Sequence, residues 1–233
     1  MEGGAESSDD NTDDGNDDSN TESFDYTNVT YSIKGVSYKM VLVDGGYLPP
    51  FYIMQTELPE DGYFKIGNTD IGYLDMNMDG TVTKYEFRNF IGKLREVTGL
   101  NFRQPTPDEW QFAAQGGSKT SNYTYSGSNT IDEVAWYSGN SNSAEHAIAT
   151  KKPNELGLYD MSGNYAEVCS TDEYDVDGLI YGGCWKDAAK DCTVTSYKQG
   201  SKSSNNIPGT TVKELNAYDA RYIAVRLVYS VPE

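Results

Sequence analysis

Three sets of residues in this chain have types and spacings that could do chemistry. The first is Asp75 to Glu86 (DMNMDGTVTKYE), which fits the calcium-loop pattern D-x-[DN]-x-[DN]-G-x5-E without a mismatch. Asp75, Asn77 and Asp79 supply oxygens on alternate residues, and Gly80 permits the sharp turn. The Thr81 carbonyl follows, then Thr83 directly or through water, and Glu86 closes the shell with both oxygens. A hard cation wants six or more oxygens at about 2.4 Å, which is the arrangement this spacing provides. The alternative is an acidic surface turn ahead of a helix. The second set lies in Pro153 to Val168 (PNELGLYDMSGNYAEV), where glycines punctuate an apolar run that carries Asp160 and Glu167 as oxygen ligands. The third is Cys169, Cys184 and Cys192. No two of them form a CxxC pair, and with one histidine, His146, a zinc site is excluded. An odd count allows one disulfide and a free thiol, Cys169 with Cys192 being the favoured pair in an oxidising exterior. Three buried small hydrophobes are the alternative. His146 reads as an ordinary loop residue.

The chain that must position these groups has 233 residues, which suits one domain of residues 31–233 behind a tether of residues 1–30. Its formal charge of −18 repels phosphate backbones, so nucleic acid is excluded as a partner. No apolar run approaches the 18 residues of a membrane span. Residues 2–25 hold ten acidic residues and no Lys or Arg, too little apolar surface to offset ordering entropy, so disorder is expected there. Met1 is read as standing where a lipid-carrying cysteine sits in the natural precursor, with a native acidic tail as the alternative. The nineteen tyrosines against seven phenylalanines favour surfaces that bind, since tyrosine offers a rigid face with a polar tip.

Tyr31 to Tyr47 alternates apolar and polar residues and predicts two short strands, and Phe51 to Leu58 predicts a third. Residues 59–72 are turn-rich and predict no element. Phe87, Phe90, Ile91 and Leu94 recur at helical spacing, so residues 85–97 should form an amphipathic helix. Thr106, Pro107 and Glu109 give a capping box at the start of a second helix, with Gly116 at its end. Trp110 and Phe112 to Ala114 should pack inward. Residues 118–150 read as a long surface excursion anchored at Val134 to Tyr137.

Several of these stretches carry a family resemblance. Met40 to Gly46 (MVLVDGG), Asn101 to Gly117 (NFRQPTPDEWQFAAQGG), Pro153 to Asn164 (PNELGLYDMSGN), Gly182 to Trp185 (GGCW) and Arg221 to Val228 (RYIAVRLV) resemble, in order, the motifs of the formylglycine-generating enzyme or sulfatase-modifying factor domain family. The similarity spans about residues 38–229. It implies an α+β, C-type-lectin-like fold with short strands, two main helices and much irregular structure. It also implies a second calcium site, with side-chain oxygens from Asp160 and Glu167 and backbone carbonyls from Gly163 and Tyr165.

The resemblance fails where the family does its chemistry. Active members bind copper through two cysteines that follow the GGS motif, five residues apart, and oxidise a cysteine of a client sulfatase. Counted from Gly182-Gly183, those positions fall on Cys192 and Tyr197, and Cu(I) wants paired thiolates. Copper is therefore not expected, and no catalytic residue is assigned. The same region carries Tyr165, Ala166, Val168, Tyr181, Cys184, Trp185, Lys186 and Asp187, which are expected to form a binding face for an extracellular protein or glycan. The expected protein is a monomeric, calcium-stabilised binding module held at the cell surface by a lipid. It resembles the variable proteins of diversity-generating retroelements. The alternatives are an active copper oxidase and a structural lipoprotein of a gliding or secretion apparatus.

Overall fold

A computed structural model describes residues 25–58, 61–66, 69–75, 84–169, 178–199 and 222–232. Strand β1 (Thr30–Ile33) turns through Lys34 and Gly35, both at positive φ, into β2 (Val36–Val43). That two-residue turn matches strand twist and fixes the register Ile33 to Val36. Next come β3 (Phe51–Met54), β4 (Asp61–Ile66) and β5 (Thr69–Asp75). The last two form a hairpin in the stretch where the sequence predicted nothing, because its glycines and turn residues hide the alternation. With β10 (Val228–Ser230) these strands make a six-stranded antiparallel sheet in the order β10-β3-β2-β1-β4-β5. A smaller sheet, β8-β7-β6-β9, is built from β6 (Ala166–Cys169), β7 (Leu179–Tyr181), β8 (Tyr197–Gln199) and β9 (Ile223–Ala224).

Three helices complete the described fold: α1 (Lys84–Thr98), α2 (Pro107–Ala114) and the single turn α3 (Ile131–Val134). The predicted cap of α2 is present in full. Thr106 Oγ1 accepts from the Glu109 N–H at 3.2 Å, and Glu109 accepts from the Thr106 N–H at 2.8 Å. Glu109 also takes a two-pronged pair with Arg103, both contacts 2.7 Å.

Residue alternation along the large sheet divides the interior in two. Tyr31, Ile33, Met40, Tyr52, Met54 and Phe64 face a core shared with Phe90, Ile91 and Leu94 of α1. Val41, Val43, Phe51 and Ile53 point the other way, onto Trp110, Ala113 and Ala114 of α2 and onto Leu158 and Met161. Phe112 only packs partly against that second core, so the inward face of α2 is narrower than the sequence suggested.

Between α2 and β6 the chain has little regular structure, yet it is fixed by polar contacts. Asn154 Oδ1 accepts the Leu156 and Leu158 N–H groups, while its Nδ2 donates to the Ala113 carbonyl at 2.9 Å and to Ser126 Oγ at 3.0 Å. Ser126, Ser128 and Ser141 are buried, so the 118–150 excursion is tied down at more points than Val134 to Tyr137.

Candidate functional site

A buried charge centre lies where the two sheets meet. Arg226 sits between β9 of the small sheet and β10 of the large one, with no exposed side-chain surface. Its Nε donates to both Glu167 oxygens at 3.0 and 2.8 Å, and Nη2 reaches Glu167 Oε1 at 2.7 Å. Nη1 donates to the Met54 carbonyl and Nη2 to that of Tyr159, each at 2.8 Å. Trp110 Nε1 adds a further bond to Glu167 at 2.6 Å. One guanidinium thus ties β3, β6 and the 153–164 loop together.

Two more acids complete the centre. Glu57 accepts from Asn164 Nδ2 at 2.8 Å and lies 3.5 Å from Arg226 Nη2. Asp160, at φ +56°, accepts the Ala149 N–H at 2.7 Å. Among the described residues, Glu57 Oε2 and Asp160 Oδ1 are buried without a hydrogen-bond partner, and the Asp160 charge acts on Glu57. Three buried carboxyls lie around one guanidinium, an excess of negative charge that favours a retained proton on Glu57 or Asp160. Burial, followed by the Asp160 charge, raises Glu57 well above the ordinary carboxylate range. Burial raises Asp160 to about 6, partly offset by its bond from Ala149 and by Arg226.

Because both groups hold protons that the unfolded chain loses near pH 4, their contribution to stability is fullest below that pH. It is lost as pH rises through about 6 and on through the range where Glu57 ionises. Glu57→Gln, which keeps the shape and carries no charge, is expected to flatten this slope in denaturant titrations from pH 4 to 8. An unchanged slope would place the retained proton elsewhere.

This geometry bears on the ligand sets expected from the sequence. At 160–167, Asp160 offers one free oxygen, but both oxygens of Glu167 are bound to Arg226 and Trp110. A fixed guanidinium stands where a cation would have to draw charge, so Asp160, Gly163, Tyr165 and Glu167 do not fit a calcium shell. In the 75–86 loop, Asn77, Asp79, Thr81 and Thr83 lie outside the described residues, while Asp75 ends β5 and Glu86 lies in the first turn of α1. Among the described residues, no three His, Cys, Asp or Glu side chains converge on a metal position.

The cysteines are all free and buried, so the expected Cys169–Cys192 disulfide is not formed. Cys169 lies in the second core, whereas Cys192 packs against Gly183. A Cβ on Gly183 would come within 2.8 Å of Cys192 Sγ. Burial, with Asp187 beside it, pushes the Cys184 thiol up to about 12, and the same two causes raise Cys192. Both shifts favour the thiol over the thiolate, and Tyr197 supplies no second sulfur. The residues present do not fit copper.

The expected binding face is also redrawn. Tyr165, Ala166, Val168, Tyr181, Cys184 and Trp185 are buried, because β6 and β7 are interior strands of the small sheet and the GGCW turn seals its end. Of the eight residues, Lys186 is exposed and Asp187 half-buried. Lys186 Nζ stands 4.8 Å from the Trp185 ring centre and 4.1 Å from that of Tyr222, and donates to the Tyr222 hydroxyl. Asp187 accepts the Cys184 N–H and Lys198 Nζ, at 2.8 and 2.7 Å. Tyr197, 59% exposed, leans on Tyr181. Alongside, Trp136 stacks on His146 at 3.6 Å with Lys151 Nζ 3.9 Å over its ring.

Asn164 joins this surface to the charge centre. Its N–H donates to the Trp136 carbonyl and its own carbonyl accepts the Trp185 N–H. Its side chain accepts the His146 N–H and donates to Glu57. Glu57, Asn164 and Arg226 were missed as a unit by sequence reasoning. The available signal was a charged residue inside an apolar run, Glu57 after FYIMQT and Arg226 within YIAVRLV.

The two sheets, the sparse helices and the long ordered loops define a mixed α+β, C-type-lectin-like scaffold. Residues 81–210 match the sequence model of the sulfatase-modifying factor enzyme 1-like domain, and the chain belongs to that family. Its fold matches that of Treponema denticola variable protein 1, at 22% identity over 87% of this chain and 98% of the other, with a TM-score of 0.58. It likewise matches CarF, at 23% identity over 88% of this chain and 98% of CarF, with a TM-score of 0.54. A chaperone protein LppX of Paenibacillus barcinonensis is 45% identical over 85 residues, and the match spans 29% of this chain and 30% of that protein.

Proposed function

We propose that this protein is a non-catalytic binding module that uses the sulfatase-modifying factor scaffold to hold a recognition surface formed by Lys186, Asp187, Tyr197 and Tyr222, with Trp136 beside it. The observation that carries the reading is the environment of Cys192. It is a buried thiol, pushed toward its protonated form by burial and by Asp187, with Tyr197 in place of a second cysteine, while the adjoining turn presents a lysine on two aromatic rings. A rigid frame with aromatic and polar residues on its loops is how binding surfaces are built. The fold match to a variable protein supports this use of the scaffold. The test is turnover of a CxPxR-type peptide by copper-treated protein, run beside glycan and protein arrays. No formylglycine product is expected, and product formation overturns the reading.

The 75–86 loop is assigned a structural calcium ion that joins β5 to α1. Glu86→Gln is expected to abolish the rise in thermal midpoint that calcium produces, read by scanning calorimetry with and without chelator. An equal rise in the variant removes the site. The module is assigned to the cell surface, behind the acidic tether and a lipid anchor. Intact mass of the protein from its natural host tests this, and an unlipidated cytosolic form overturns it.

A further inference from the structure

We propose that the Trp185–Lys186–Tyr222 corner binds carboxylate groups of an acidic polypeptide segment, which rests on the reading of this face as the recognition surface. The polar groups offered there are donors. Trp185 is 6% exposed, and its Nε1–H is a buried donor with no acceptor. A buried N–H left without a partner costs about 1–3 kcal/mol, so an incoming acceptor gains more here than at an already satisfied group. Next to it the Lys186 ammonium is held at the edge of the protein by the Trp185 and Tyr222 rings and by its bond to the Tyr222 hydroxyl, which is neutral. Ring contacts orient a cation without neutralising it, so its charge remains available to an anion.

The local charge points the same way. Residues 184–199 carry three lysines and two aspartates, within a chain of net charge −18. Asp187 is turned inward to the Cys184 N–H and Lys198, so it does not oppose an anion at Lys186. In a chain that otherwise repels negative partners, such a corner selects where one can approach. The ammonium covers one face of the Tyr222 ring and Trp185 stands edge-on to it, which leaves this ring less surface for a sugar to stack on. This favours a flexible acidic peptide, which can bring a carboxylate edge-on, over an acidic glycan.

The test measures binding of poly-glutamate to the full chain at low salt, with polygalacturonate as the glycan arm. Lys186→Glu is expected to weaken poly-glutamate binding by about tenfold or more. Trp185→Phe, which keeps the ring and removes the donor, should weaken it severalfold. Lys93→Glu on exposed α1 makes the same charge change elsewhere and should leave it nearly unchanged. Equal losses from Lys93→Glu and Lys186→Glu mean diffuse electrostatics and overturn the proposal, as does tighter binding of polygalacturonate. If poly-glutamate does not bind but an array ligand does and is lost in Lys186→Glu, the recognition surface stands and the ligand class falls. If array ligands are insensitive to both face variants, the recognition surface itself falls.

Discussion

Replacement of Arg226 by leucine is expected to destabilise the protein by about 3–5 kcal/mol, the cost of removing one partner from a buried ion pair. For a domain of this size that is a fall on the order of 10 °C in thermal midpoint. The cause is not the loss of a favourable pair as such. Among the described residues, Glu167 would keep only the Trp110 N–H, and Glu57 and Asp160 would lose the cation that moderates their charge. Leucine also abandons the Met54 and Tyr159 carbonyls, each of which now accepts a 2.8 Å bond. The double variant Glu167→Gln with Arg226→Met removes both charges of the tightest pair and keeps an acceptor for Trp110. It should recover part of the loss, measured by denaturant titration. A double variant no more stable than Arg226→Leu would mean that the centre acts through packing and not through charge.

Gly163→Ala is the second large effect. Gly163 has φ +76°, and a Cβ there would come within 2.3 Å of the Trp136 carbonyl oxygen, a backbone atom that cannot swing aside. The left-handed conformation costs a non-glycine residue about 1–2 kcal/mol. Forcing Trp136 away adds about 1–3 kcal/mol. Gly157→Ala separates the two terms, because Gly157 has φ +84° and nothing within 4 Å of its would-be Cβ. It should show only the smaller loss. Since Trp136 is the residue displaced, Gly163→Ala should also change tryptophan fluorescence, whereas Gly157→Ala should not. Equal losses from the two variants would show that the Trp136 contact yields freely.

The sequence made the frame legible wherever the physics was local. The β1–β2 pair followed from alternation, the α1 stripe from its period, and the α2 cap from Thr106, Pro107 and Glu109. The β4–β5 hairpin was not readable, because pairing between the two strands supplies what their individual patterns lack. The charge centre was missed for a related reason. Glu57, Asp160, Glu167 and Arg226 are scattered over 170 positions, and only the meeting of two sheets shows that an arginine faces the carboxylates. Motif spacing singled out Asp160 and Glu167 but could not tell what stands opposite them. The binding face failed differently. Residues that depart from a family pattern need not be exposed, and β6 and β7 bury most of theirs in the middle of a sheet.

The position of β10 has a consequence for how the protein is made. This strand, within the last few residues, lies beside β3, and Tyr229 donates to the Tyr26 carbonyl across 203 positions of sequence. Arg226, just before it, faces one acid, Glu57, that stands more than a hundred residues earlier in the chain. Both cores take residues from 225–229, so neither is complete until that segment is in place. Folding dominated by such distant contacts is slow, and it leaves strand edges open in the meantime.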